Sequence, residues 1–144
     1  MLVREVMTES VVTAAADATV REVAELMRER NVGSVVLVSD GEAVGFLTDR
    51  DLTVSVLAAG RSGSDAAREF ASSPVITAEP DLPAEEAGEL MVRHGVRRLV
   101  VMADDELVGV VALDDLAASG LASELSARVT RAALPDFYFR ARGG

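Results

Sequence analysis

The chain has 144 residues, 49 % of them hydrophobic, with a formal net charge of −10 and no cysteine. That length suits one compact domain, and the lack of cysteine excludes a disulfide framework and any thiolate metal site. The negative charge opposes binding to a phosphate backbone, and no apolar run approaches the roughly 20 residues of a membrane span, so neither nucleic acid nor a bilayer is expected as partner.

The opening Met1-Leu2-Val3-Arg4-Glu5 meets charge at once and has no secretory apolar core, which makes the cytoplasm the expected compartment. A short strand is expected at Val11-Val12-Thr13. Over 17–30, Val20, Val23, Ala24, Leu26 and Met27 recur at helical spacing among charged residues. Asp17 or Thr19 is the expected N-cap, with Glu22 placed to complete a capping box after Thr19. Val35-Val36-Leu37-Val38 reads as a strand covered on both faces. A polar turn over 39–42, a second strand at Val44-Gly45-Phe46-Leu47 and a helix from Asp49 to Ala59 follow. The Gly/Ser-rich residues 60–68 read as a linker.

The same order then returns 64 residues later. A strand is expected at Val75-Ile76-Thr77, a helix over 82–94 with Pro83 at its first position, strands at 99–102 and 108–111, and a helix from Asp114 to Ser119. Laying residues 6–52 on 70–116 without a gap gives 16 identities in 47 positions. Unrelated segments share roughly one position in fifteen. The fold class is therefore α/β (α+β), built from two β-α-β-β-α copies that, at their size, are expected to share one core. The copies span 1–60 and 70–120, joined by a linker at 61–69 and followed by a tail at 121–144. The tail reads as helical to about Leu134, with Pro135 ending it. Phe137-Tyr138-Phe139 beyond it either pack on the chain's own core or form a dimer or partner contact.

Thr48-x-x-Asp51 stands at a strand-to-helix junction. A Thr and an Asp there cap the helix; the same groups suit a ligand, since a helix start favours an anion and a carboxylate accepts two hydrogen bonds from a ribose diol. Copy two keeps Asp115 but has Ala112 in place of the Thr. Arg97-Arg98 replaces Gly33-Ser34, which suits bidentate phosphate recognition or an ordinary surface pair with carboxylates. His94, the one histidine, makes neither a metal site nor a triad and fits a helix end or a phosphate neighbour. The acidic turns at Asp40-Gly41-Glu42 and Asp104-Asp105-Glu106 read as solvated. With no nucleophile–base set and no phosphate-cradling glycine loop, no catalytic residue, metal site or enzyme activity is expected.

Taken in order, Val11-Val12-Thr13, Val44-Gly45-Phe46-Leu47-Thr48-Asp49-Arg50-Asp51-Leu52 and Val96-Arg97-Arg98-Leu99-Val100-Val101 resemble a tandem pair of CBS motifs, a Bateman module, over about residues 3–118. The stretch from Thr48 to Gly60 is similar to small stand-alone two-CBS proteins of bacteria, including actinobacterial hypoxia-response proteins. The resemblance implies motifs packed through their sheets about a pseudo-twofold axis, two clefts that take adenosyl ligands of the AMP, ATP, NAD or S-adenosylmethionine type, and a disc-like homodimer. It implies a main cleft holding Thr48, Asp51, Arg97, Arg98, Pro74, Val75 and Ile76. A weaker cleft would hold Asp115, Ser34, Thr8, Ser10 and Val12. The function implied is a non-enzymatic sensor with no required cofactor. It would bind an adenine nucleotide, with or without Mg2+, and signal to a further protein. The alternative is a ligand-independent dimeric scaffold with vestigial clefts.

Overall fold

A computed structural model of the chain describes residues 1–120 together with 128 and 131. The expected tail helix to Leu134 and the Phe137-Tyr138-Phe139 cluster lie outside the described residues. Helix α1 (Val3–Val6) leads into β1 (Thr13–Ala15), α2 (Val20–Arg30), β2 (Ser34–Ser39), β3 (Glu42–Thr48) and α3 (Asp49–Asp51), which continues as a π-helical stretch, Leu52–Leu57. After a 3-10 turn at Ala67–Glu69 come β4 (Thr77–Ala78), α4 (Ala84–His94), β5 (Arg98–Ala103), β6 (Glu106–Ala112) and α5 (Leu113–Ala118). The result is a mixed α/β fold with two three-stranded sheets, ordered β1-β2-β3 and β4-β5-β6.

The repeat is visible in every register. In each sheet the first strand pairs in parallel with the middle one and the middle one antiparallel with the last, from Thr13 opposite Val36 and from Thr77 opposite Val100. Both antiparallel pairs carry an irregularity at the same point, between Leu37 and Val38 and between Val101 and Met102. Both hairpins have two-residue loops; Asp40 and Gly41 take φ of 50° and 79°, the positive pair that a tight right-twisting turn requires. Both long helices end on a left-handed residue, Asn31 in α2 and Gly95 in α4. Thr19 is the N-cap of α2, its hydroxyl accepting from the Glu22 N–H at 3.2 Å.

Several expected boundaries move. The opening strands fall at 13–15 and 77–78 instead of 11–13 and 75–77, because pairing with the middle strand starts there; Val12 and Ile76 contribute only a carbonyl to Val36 and Val100. Pro83 is the N-cap of α4 and not its first residue. The helix after β3 is α-helical for three residues only, then widens, with the Ala58 N–H reaching the Thr53 carbonyl at 2.9 Å.

The chain forms two compact units: residues 10–75, and residues 1–9 with 76 onward. The sequence suggested one shared core, but each unit encloses its own. In the first, Val23, Met27, Val35, Leu37 and Leu47 pack between α2 and the sheet. In the second, Val3, Ala87, Met91, Leu99, Val101, Val111 and Leu116 do so. A fully buried Val, Leu or Met contributes about 1.5–3 kcal/mol.

What completes each core is the segment that precedes the other copy. Residues 1–9 lie on copy two, and their counterparts 65–73 lie on copy one. The Met1 carbonyl accepts the first N–H of α4, from Ala84, at 2.8 Å; the Asp65 carbonyl does the same for Val20 of α2 at 2.9 Å. Val3 bonds Leu82 as Ala67 bonds Ala18, and both Val3 and Ala67 are fully buried. Thr8 exchanges both backbone hydrogen bonds with Val110, and Ser72 does so with Phe46, so each lead segment covers part of the outer edge of its sheet. Covered edges do not recruit stray strands.

Candidate functional site

In copy one, β3 ends at Thr48 in an extended conformation, φ −114° and ψ 162°, and the chain turns at once into α3. The Thr48 hydroxyl accepts the Asp51 N–H at 3.2 Å, and the Asp51 Oδ2 accepts the Thr48 N–H at 2.8 Å. The capping reading of these residues is therefore correct. It does not exhaust them, since a carboxylate has acceptor capacity beyond one bond and both side chains are only half-buried. The register sets Ser34 opposite Thr48, and the Asp49 N–H donates to the Gly33 carbonyl at 2.9 Å. A Cβ at Gly33 would stand 3.2 Å from the Asp49 Oδ2, so the glycine lets that carboxylate approach the strand entry. Sequence reasoning overlooked Gly33; a glycine directly before a buried strand was the available signal.

Copy two rebuilds the junction without the hydroxyl. Ala112 closes β6 at φ −110° and ψ 161°, and the Asp115 Oδ2 accepts the Ala112 N–H at 2.8 Å. The Asp115 N–H loses the side-chain acceptor that Thr48 gives Asp51. The Leu113 N–H donates to the Arg97 carbonyl at 2.9 Å, and Arg98 lies opposite Ala112. Arg97 and Arg98 are exposed, and with Arg93 and His94 in the last turn of α4 they make this strand entry basic.

The residues expected in the main cleft divide between the units. Thr48, Asp51, Pro74 and Val75 belong to the first, Ile76, Arg97 and Arg98 to the second. Of the second set, Ser10, Val12 and Ser34 belong to the first unit, and Thr8 and Asp115 to the second. Within the units, the structure places Ser34 beside Thr48 and Asp51, and Arg97 and Arg98 beside the Ala112–Asp115 turn. Val12 and Ile76 hold equivalent posts, each giving its carbonyl to the middle strand at 3.0 Å. Pro74 is exposed and follows Ser73 through a cis peptide bond. A cavity of about 330 Å³ in the second unit is lined by Met1, Pro83, Ala84, Glu85, Ser119 and Gly120, none of them an expected site residue.

Among the described residues, no three His, Asp or Glu side chains gather to hold a metal ion, and no helix is long and apolar enough to cross a membrane. Compared with known families, the chain matches the CBS domain twice, at residues 3–57 and 67–121. The chain belongs to the CBS domain family. The two matches are the two copies, each taken with its lead segment, and the chain is a CBS pair, a regulatory module. It is 38 % identical over 122 residues to the CBS domain-containing protein YhcV of Bacillus subtilis, covering 85 % of this chain and 87 % of that one. It is 32 % identical over 116 residues to Hypoxic response protein 1 of Mycobacterium tuberculosis, covering 79 % and 81 %. Among solved structures, a CBS domain protein from Pyrobaculum aerophilum complexed with AMP superimposes with a TM-score of 0.71 at 28 % identity, covering 91 % of this chain and 99 % of that one.

Proposed function

We propose that this CBS pair is a non-enzymatic sensor that binds an adenosyl ligand and passes the bound state to a protein partner. The observation that carries this reading is the complete Thr48–Asp51 junction of copy one, where a hydroxyl and a half-buried carboxylate meet at a helix start. Asp51 accepts the ribose hydroxyls, and Thr48 contacts the ribose and adjoining phosphate. Arg97 and Arg98 neutralise the phosphate, and the backbone at Pro74, Val75 and Ile76 lies along the adenine. Asp115, with Thr8, Ser10, Val12 and Ser34, serves a weaker second site, since Ala112 offers no hydroxyl. One neutral hydrogen bond is worth about 0.5–1.5 kcal/mol, enough to weaken a site without removing it. The AMP complex of the Pyrobaculum relative supports the ligand class. To regulate, the ligand must bind two states of the module unequally.

Isothermal titration with AMP, ATP, NAD and S-adenosylmethionine, each with and without Mg2+, tests the reading. Binding by one of them is expected, reduced at least tenfold in Asp51→Asn, which keeps an acceptor for the cap but loses the charge. Absence of heat and of thermal shift at millimolar ligand would overturn it.

Ala112 and the exposed Val54 and Leu57, 50 % and 77 % accessible, favour a second reading, a dimeric scaffold that works without ligand. It predicts an assembly state indifferent to every compound in the panel and sensitive to Leu57→Glu.

A further inference from the structure

Residues 1–9 are part of the second unit in space but are separated from it in sequence by the whole of the first. Their hold on it is built from backbone groups. The Val3 N–H donates to Leu82 at 2.8 Å, the Arg4 N–H to Pro80 at 3.0 Å, and the Met1 carbonyl accepts from Ala84 at 2.8 Å. Thr8 and Val110 exchange two bonds of 2.8 and 3.0 Å, Val3 is fully buried, and Arg4 pairs with Asp81. The seat is shaped for the segment: a Cβ at Gly109 would lie 2.6 Å from the Met7 sulfur and 3.0 Å from the Thr8 carbonyl.

We propose that this seat is an interaction surface for residues 1–9 of a second copy of the chain, so that two chains join by exchanging these segments. Every partner of the segment lies in residues 80–110, and a second copy presents the same groups to them, so exchange breaks and remakes identical bonds. The join to the first unit is slight. Thr8 is bonded to Val110 and Val12 to Val36, and among the described residues no backbone hydrogen bond holds Glu9, Ser10 or Val11 between them. The counterpart 65–73 differs, because the unit it completes is the continuous stretch 10–75. Only the seat on the second unit is therefore open to exchange.

The chain has no cysteine, which permits a direct test. Thr8 and Val110 form a hydrogen-bonded antiparallel pair, whose Cα separation of about 5.5 Å suits a disulfide. The full chain carrying both Thr8→Cys and Val110→Cys is expected to close within itself at low concentration. When Thr8→Cys and Val110→Cys chains are mixed at high concentration and oxidised, a covalent heterodimer is expected on a non-reducing gel. A mixture of Thr8→Cys with Glu106→Cys is the control and is expected to stay uncross-linked. Leu2→Cys with Pro83→Cys gives the same reading across the Leu2–Pro83 bridge. Closure of the double variant with no more heterodimer than the control would overturn exchange. Failure of both double variants to close would overturn the seat itself.

Discussion

The two copies share strand register, hairpin length, helix caps and even the position of a sheet irregularity, yet they finish differently. Copy one ends β3 with a hydroxyl and a carboxylate that cap each other's backbone, beside the small entry Gly33-Ser34. Copy two ends β6 with a carboxylate alone, beside Arg97-Arg98. Burial runs the other way. Leu116, after the poorer junction, is fully buried, whereas its counterpart Leu52 is only half-buried at the start of the π-helical stretch. The junction that keeps its polar groups has the looser helix behind it, and the one that lost its hydroxyl is anchored by packing. A duplicated unit can divide its tasks in this way, one copy keeping chemistry and the other rigidity.

The contrast is open to measurement. The largest effect is expected from truncating the anchors. Leu116→Ala should cost about 2–5 kcal/mol, as for other fully buried leucines, and Leu52→Ala clearly less. Urea unfolding midpoints read the difference, and equal losses would break the comparison. A smaller, still clear effect is expected at the paired glycines. A Cβ at Gly45 meets the Ala71 Cβ at 2.9 Å, a group that cannot swing aside, so Gly45→Ala should cost about 1–3 kcal/mol. At Gly109 the first atom met is the flexible end of Met7, so Gly109→Ala should cost less, and Met7→Ala in that background should restore part of the loss. The smallest effect concerns the caps. Thr48→Ala should lose about 1 kcal/mol, and Ala112→Thr should gain a similar or smaller amount by giving the Asp115 N–H a partner. Thermal unfolding of the two variants would show opposite shifts.

Most of the fold was legible because it rests on side-chain periodicity. The run Val35 to Val38 and its counterpart at 99–102, the stripe of Val20, Val23 and Met27, and the capping Thr19 each announce their element locally. The junction chemistry was legible too, since Thr48 and Asp51 stand three apart. The lead segments were not. Their bonds join backbone to backbone across long sequence separations, Met1 to Ala84 and Thr8 to Val110, and such bonds ask nothing of residue type. Accordingly Val3 and Ala67, or Met1 and Asp65, share a post without sharing a character, and 61–69 read as a mere linker. The short opening strands shifted for a related reason: the middle strand's pairing, and not the apolar run, sets where they begin.

The placement of residues 1–9 also has a consequence for biosynthesis. They leave the ribosome first, yet Val110, to which Thr8 is bonded, is made about 100 residues later, some 5–20 s at roughly 5–20 residues per second. In that interval residues 10–75 have all they need to form their own unit, while Val3 and Met7 have nowhere to bury. The first apolar side chains synthesised are thus among the last to be sheltered, and a nascent chain stalled between Val75 and Val110 presents a folded half with an unsheltered leader.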